Sequence, residues 1–270
     1  MYDVPMGEQL DDDGDSLESI EGCLTDAQYN RDEHRKAVID DILDNWVSQS
    51  HNGKFHAILA TSSIPEAIKY YKLFAQRDCG LKTTAVFDPS DGNNESSIEK
   101  IDGIAQMLED YNSLFGTCFN ISGYASFKRD VCARLAHKTP YTAVENEPSK
   151  CLDILIVVDQ MLTGYDSKWL NTLYMDKFYK WSNIEMIIQA FSRTNRVFND
   201  DKPHGIIRYY RRPYTMKNII EYAFEQYSGQ KPYGIFVAKL IQNLENMNAA
   251  FSDINDIFKI AGIPDFFKTS

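Results

Sequence analysis

The sequence predicts an α/β fold in which a mostly parallel sheet is covered by helices on both faces, followed by a helical C-terminal segment. Three observations carry this. Five short runs, each nearly all apolar, alternate with longer segments of helical period, which is the pattern of strands buried on both faces. The chain has 270 residues, enough for one large domain or two small ones with a proper core. Its composition, 43% hydrophobic and 25% charged, is that of a globular protein and excludes collagen-like, low-complexity and wholly disordered chains.

In chain order, residues 1–30 are rich in Asp, Gly, Ser and Glu without a period and read as a flexible or loosely docked acidic arm. Val38, Ile39, Ile42, Leu43, Trp46 and Val47 recur at helical spacing, and Asn52-Gly53 ends that helix. Phe55–Thr61 is a buried-strand candidate. It leads into a helix whose start carries a capping box, Ser63 with Glu66, and an early Pro65. Lys82–Phe87 is a second strand. Helices are predicted near Glu99–Leu114 and Tyr124–Ala136, a helical insertion at about 90–150. Leu152–Val158 is the strongest strand signal, Thr172–Met175 and Gly205–Tyr210 are two more, and Asn183–Thr194 is helical between them. Beyond Pro213 only helical patterns remain, so 31–212 reads as one lobe and 213–270 as the start of a helical region.

The net charge of −11 is unevenly placed. Residues 1–33 carry a net of −10, whereas Lys168–Lys217 carries ten basic and four acidic residues. A basic stretch attracts phosphates and nucleic acid, although charge alone equally fits a solvated surface. The five cysteines are odd in number and form no CxxC, which argues against a disulfide framework and against a zinc site, so no metal is expected. Free thiols, no apolar run long enough to span a bilayer and no secretory leader pattern lead to the expectation of a cytoplasmic protein with no membrane partner.

Ligands of parallel sheets sit beyond the carboxyl ends of the strands, which directs attention to Thr61–Glu66, Asp159–Lys168 and the helix before Arg196. On that helix Ile184, Ile187, Ile188 and Phe191 form an apolar stripe, and Gln189, Arg193 and Arg196 form a second one nearly opposite. Arginine suits bidentate phosphate contact, but the helix taken alone also fits an ordinary solvated face. Lys202, beyond it, reads as a solvated lysine without a role. In the polar loop Val157–Asp166, Thr163 can hydrogen-bond a phosphate, Gly164 lets backbone approach a ligand, and Asp166 can accept from a sugar hydroxyl.

These segments resemble a known family. ILATSSIPEA (Ile58–Ala67) resembles motif IV, VVDQMLTGYD (Val157–Asp166) motif V and QAFSRTNR (Gln189–Arg196) motif VI of the second RecA-like lobe of superfamily 2 helicases. LDILIVVDQMLTGYDSKWLNTLYMDK followed by IIQAFSRTNRVF more closely resembles the motor (restriction, R) subunit of type I restriction-modification enzymes, and FGTCFNISGYASFKRDV (Phe115–Val131) is similar to that family's linker. Val158 stands where many helicases carry Thr, and Ser192 where the motif usually has Gly.

The resemblance implies roles. Arg196 would be the arginine finger and Arg193 its partner, both reaching the γ-phosphate of an ATP held, with magnesium, mainly by another lobe. Gln189 would position the cleft face, and Gly164 and Asp166 would meet the nucleotide. Thr163, Thr61, Ser62 and Ser63 would contact DNA phosphates. The implied partners are double-stranded DNA and the methyltransferase and specificity subunits. The implied activity is ATP-dependent translocation and endonuclease action by the whole subunit. There is no G-x-x-x-x-G-K-[ST] phosphate loop and no Asp-Glu box in the sequence, so the chain is expected to be half a motor and inactive alone. Two other readings stay open: a receiver-like phospho-accepting domain, whose look LDILIVVDQMLTGYD shares, and a non-catalytic DNA-binding lobe.

Overall fold

The structure is a computed structural model that describes residues 21–77, 79–87, 97–158, 165–196, 198 and 201–227, with isolated positions from 247 to 258. The chain divides into two compact units, 1–223 and 224–270; the architecture below is that of the first.

After a short turn of helix, α1 (Asp26–Tyr29), the long α2 (Asp32–Gln49) precedes β1 (His56–Thr61). Then come α3 (Ile64–Gln76), β2 (Thr83–Val86), α4 (Ser97–Phe115), α5 (Tyr124–Leu135), β3 (Ile154–Val157), β4 (Leu170–Asp176), α6 (Ile184–Ser192), β5 (Ile206–Tyr209) and α7 (Pro213–Tyr227). The five strands form one all-parallel sheet in the order β2–β3–β1–β4–β5. Each strand coincides with one of the five apolar runs. β1, β3 and β4 occupy the middle and are buried at every position, while β5, at the edge, is half-buried throughout. A strand covered on both faces has no solvent side to mark with polar residues, so the runs are uninterrupted.

This order bears on the receiver reading. In that fold the first strand lies between the second and third. Here β1 lies between β3 and β4, with Ala57 beside Ile154 on one side and Thr172 on the other.

α2 packs over β4 and beside α3, which covers β1, β3 and β2. Val38, Ile39, Ile42 and Trp46 are buried on α2, but Val47, counted in the same stripe, is exposed. At 100° per residue it lies about 180° from Val38, outside the arc that faces the sheet. The helix ends as expected, with His51, Asn52 and Gly53 all at positive φ. α4 and α5 join in an aromatic cluster of Tyr111, Phe115, Phe119, Tyr124 and Phe127, with the Arg134 guanidinium 3.8 Å from the Phe115 ring centre.

Residues 21–30, which composition assigns to a loosely docked arm, are packed. Glu21 accepts hydrogen bonds from the backbone N–H groups of Tyr214 (2.7 Å) and Thr215 (2.8 Å), capping α7. The Tyr29 hydroxyl accepts from the Arg212 N–H, and the Leu24 carbonyl from its guanidinium. A few charge-assisted bonds to free helix N–H groups hold a segment that has little apolar surface, and composition does not register such bonds. Residues 1–20 lie outside the described residues.

Candidate functional site

The polar groups singled out by sequence separate onto the two ends of the sheet. At the carboxyl end of β1, Thr61 is fully buried, and its hydroxyl donates to the carbonyl of Val157 at 3.1 Å. This corrects the expectation that Thr61 meets a DNA phosphate: the side chain closes the end of the sheet against β3 and has no surface to offer. Ser62 and Ser63 are half-buried. The Ser63 hydroxyl caps α3 by accepting from the Glu66 N–H at 3.4 Å, and Pro65 sits in the first turn. The second half of the expected capping box is absent, because the Glu66 carboxylate is buried in a two-point pair with Arg35, at 2.7 Å to Nε and 2.7 Å to Nη2.

Beside that pair, Asp176 ends β4 with no exposed surface and accepts from Arg211, at 2.9 and 3.0 Å, and from the Tyr70 hydroxyl at 2.9 Å, with His34 at 2.8 Å. Burial raises the Asp176 pKa, but the hydrogen bonds and charges of His34 and Arg211 outweigh it, leaving the pKa below the ordinary value. Burial and the adjacent Asp176 push the Tyr70 phenol well above its usual range. Sequence reasoning missed this network. Its members are spread over 178 positions, from Arg35 and His34 to Arg211, and no local spacing marks them.

The arginines and Asp166 lie at the other end. The loop after β3 starts at the carboxyl edge but must deliver the chain to the start of β4, so its second half crosses to the amino edge. There the Tyr165 hydroxyl is 3.1 Å from Nε2 of His56, the first residue of β1. Burial and then the nearby His137 and Lys202 charges hold the His56 imidazole far below its ordinary pKa, so it is neutral. α6 likewise starts near the carboxyl end of β4 and finishes at the amino edge. The expected site at the carboxyl ends is therefore corrected for these residues, because a return loop and a returning helix meet at the opposite edge.

Within this edge, Arg196 Nε is 2.9 Å from Asp166 Oδ1, with both side chains more than half exposed (55% and 61%). Arg193 Nη1 donates to the Tyr165 carbonyl at 3.2 Å. Gln189 is exposed on α6, and its carbonyl accepts from the Ser192 hydroxyl at 2.7 Å. The helix stops at Ser192, so Arg196 does not extend the stripe of Gln189 and Arg193 as expected. Arg193 and Thr194 tighten the last turn through bonds to the Ala190 and Phe191 carbonyls, and Arg196 follows in irregular chain. Thr194 is buried against Gly205, where an added Cβ would lie 2.4 Å from the threonine Cβ. Thr163 and Gly164 lie outside the described residues.

Lys202 is the second correction at this edge. It is 1% exposed, its Nζ donates to the carbonyls of Arg196 (2.7 Å) and Lys168 (3.3 Å), and burial pulls its pKa down to about 8. The Phe198–Lys202 bridge folds this segment back on itself beneath the Phe55, Trp169 and Phe198 rings. Lys202 follows two aspartates and looks solvated in sequence, and only its contacts with the Lys168 and Arg196 carbonyls show otherwise. Among the described residues no group of His, Cys, Asp and Glu could hold a metal ion, and no helix is long and apolar enough to cross a membrane.

Comparison with known proteins gives the family. Residues 53–212 match the family described as type I restriction enzyme subunit R domain 3. The chain is 32% identical over 208 residues to the type I restriction enzyme SsaAORF53P endonuclease subunit of Staphylococcus saprophyticus, covering 74% of this chain and 21% of that protein. It is 31% identical over 200 residues to the SauMRSORF196P endonuclease subunit of Staphylococcus aureus, covering 71% and 20%. Over 60 residues it is 42% identical to the HindI endonuclease subunit of Haemophilus influenzae, covering 22% and 5%. The chain thus spans about a fifth of the length of the two staphylococcal relatives. With a five-stranded parallel α/β sheet and a match over residues 53–212, the chain belongs to the family of type I restriction enzyme subunit R domain 3.

Proposed function

We propose that this domain is the second motor lobe of an ATP-dependent DNA translocase within a type I restriction subunit, and that its amino edge faces the nucleotide while its carboxyl edge faces DNA. The observation that carries the reading is the meeting of Asp166 with Arg196 at 2.9 Å, beside Arg193, on an exposed edge. Two segments singled out independently for nucleotide contact converge there, and the guanidiniums are paired in a way a phosphate can displace.

ATP, with its magnesium, would supply the phosphoryl group and be held mainly by a partner lobe. This chain's residues do the rest. Arg196 leaves the exposed Asp166 carboxylate and donates its planar fork to γ-phosphoryl oxygens, where charge builds up in the transition state. Arg193, anchored on the Tyr165 carbonyl, supplies a second positive charge from a fixed backbone point. Asp166, released, accepts from a ribose hydroxyl. Gln189 lies on α6 one turn before Arg193, which caps that helix, and lines the cleft. By the resemblance, Gly164 and Thr163 connect nucleotide state to DNA grip. At the carboxyl edge Ser62 and Ser63, at the α3 N-terminus, face the DNA backbone. A strand of six residues separates the edges by roughly 20 Å.

In this reading the domain works in the cytoplasm on double-stranded DNA with methyltransferase and specificity subunits, and hydrolyses no ATP alone. The test uses the full-length subunit with saturating DNA. Arg196→Ala should reduce ATP turnover by on the order of 10³ to 10⁵, Arg196→Lys should restore little, and Lys72→Ala, an exposed residue of α3, should be silent. Retention of a tenth of the rate or more in Arg196→Ala would remove the nucleotide role and leave a DNA-binding lobe.

A further inference from the structure

We propose that Lys202 is a positioning residue: its buried ammonium clamps together the two backbone segments that carry Arg196 and Asp166, and so fixes where the arginine points. The inference rests on the nucleotide reading of the amino edge.

The geometry is specific. The ammonium donates to two carbonyls, and they belong to different segments. One is that of Arg196 itself, at 2.7 Å; the other is that of Lys168, two residues beyond Asp166, at 3.3 Å. One cation therefore ties, on the inside, the same two segments whose side chains meet at 2.9 Å on the outside. The inner tie is buried and the outer pair is solvated, so the two differ in strength. An exposed ion pair holds little in place, whereas a charge-assisted bond out of water holds much.

Arg196 also needs such a tie. It sits past the end of α6, where helical hydrogen bonds no longer set its position. Of its neighbours, the Phe198–Lys202 bridge closes a small turn on itself, and the Gly205–Thr194 contact fixes only the start of the segment. The Arg193 side chain also reaches the loop, at the Tyr165 carbonyl, but from three residues earlier; the Lys202 contacts join the Arg196 carbonyl itself to that loop among the described residues. Among the described residues no carboxylate lies at hydrogen-bond distance from the lysine: its two acceptors there are main-chain carbonyls, and burial lowers its pKa. A charge buried with so little compensation is a poor way to gain stability. A residue kept only for packing would do better as methionine, which has the same reach and no charge.

The experiment has two arms. In the first, hydrogen exchange is measured on this chain, wild type against Lys202→Met. Exchange in peptides covering 193–204 and 165–170 should speed up tenfold or more, with peptides over 61–76, at the other edge, unchanged. In the second, the full-length subunit with DNA should lose at least tenfold in kcat for ATP while KM changes less than threefold, because the clamp aims the finger and does not hold the nucleotide. Unchanged local exchange in Lys202→Met would overturn the proposal. So would acceleration spread evenly over the whole domain with a fall in Tm, which is the signature of a core residue. Local loosening with kcat intact would support the clamp and instead remove the nucleotide reading of this edge.

Discussion

Arg196 and Asp166, thirty residues apart in sequence, stand with Nε 2.9 Å from Oδ1 on the surface of the amino edge. The pair stores almost nothing, since an exposed ion pair is worth at most about 1 kcal/mol. In the proposed function it is a resting arrangement that a phosphate, carrying more charge and matching the guanidinium fork, breaks.

Asp166→Asn should therefore leave Tm unchanged within about 2 °C, as expected for a surface substitution away from any buried feature. In the full-length subunit the same change should raise KM for ATP severalfold, because the amide is a weaker acceptor for a ribose hydroxyl, with kcat within about threefold of wild type, an effect of less than 1 kcal/mol on the barrier. Steady-state ATPase with DNA reads both. A collapse in kcat with KM unchanged would place Asp166 in the chemistry and not in nucleotide binding.

The strands and most helices were legible because burial on two faces leaves uninterrupted apolar runs, and α6 showed its apolar stripe through Ile187 and Phe191. What sequence could not show was where loops go. The stretch after β3 reads as a carboxyl-edge loop until it is seen that Tyr165 reaches back to His56. Thr61 looks like a helix-terminus hydroxyl until its bond to Val157 is seen. Glu66 sits where a capping acid would, yet Arg35, 31 residues earlier, takes its carboxylate. Each depends on a contact between distant segments, which local periodicity does not encode.

The Arg35–Glu66 pair gives a stability prediction. Both side chains are nearly fully buried and joined at two points. Removing one partner of a buried pair leaves an uncompensated charge and typically costs about 3–5 kcal/mol. Arg35 keeps Asp32, itself largely exposed, at 2.6 Å and the Asn30 carbonyl at 2.6 Å, so Glu66→Ala should cost less than that, about 1–3 kcal/mol, and Arg35→Met with Glu66→Leu together should recover most of it. Urea unfolding midpoints check this. A loss below about 1 kcal/mol for Glu66→Ala, the range of exposed pairs, would mean that Asp32 and water suffice for Arg35.

Lys202 gives a pH prediction whose sign is unusual. The folded ammonium loses its proton near pH 8, against an ordinary value of 10.5. Between those values the unfolded chain binds more protons, so this group makes stability rise with pH. The effect should reach about 2 kcal/mol between pH 7 and 9.5, by the usual 1.36 kcal/mol per pH unit. The titratable and charged groups around it are His56, His137, Lys54, Asp201, Lys168 and Arg196. Above pH 10 half-buried phenols such as Tyr209, held up near 12 mainly by burial, pull the other way, because the unfolded phenols ionise first. Comparing wild type with Lys202→Met isolates the lysine: the wild type should gain on the variant from pH 7 to 9.5. A constant difference across that range would mean that Lys202 is solvated and titrates normally.

Gly205 tests the other support of the arginine segment. A Cβ there would lie 2.4 Å from Thr194 Cβ and Oγ1, and 2.5 Å from the Thr194 carbonyl oxygen, distances at which something must move. Thr194 stands two residues before Arg196, so the part that moves is the one carrying the proposed finger. Gly205→Ala should destabilise by about 1–3 kcal/mol, the range of overpacking in a filled site, and should lower kcat of the full-length subunit more than KM. Trimming the threonine should not restore activity: in Gly205→Ala with Thr194→Ala the hydroxyl is gone, but the Cβ at 2.4 Å and the backbone carbonyl at 2.5 Å remain. If the double variant recovers wild-type turnover, the side chain alone was the obstacle and the course of the 194–196 backbone does not matter to the reaction.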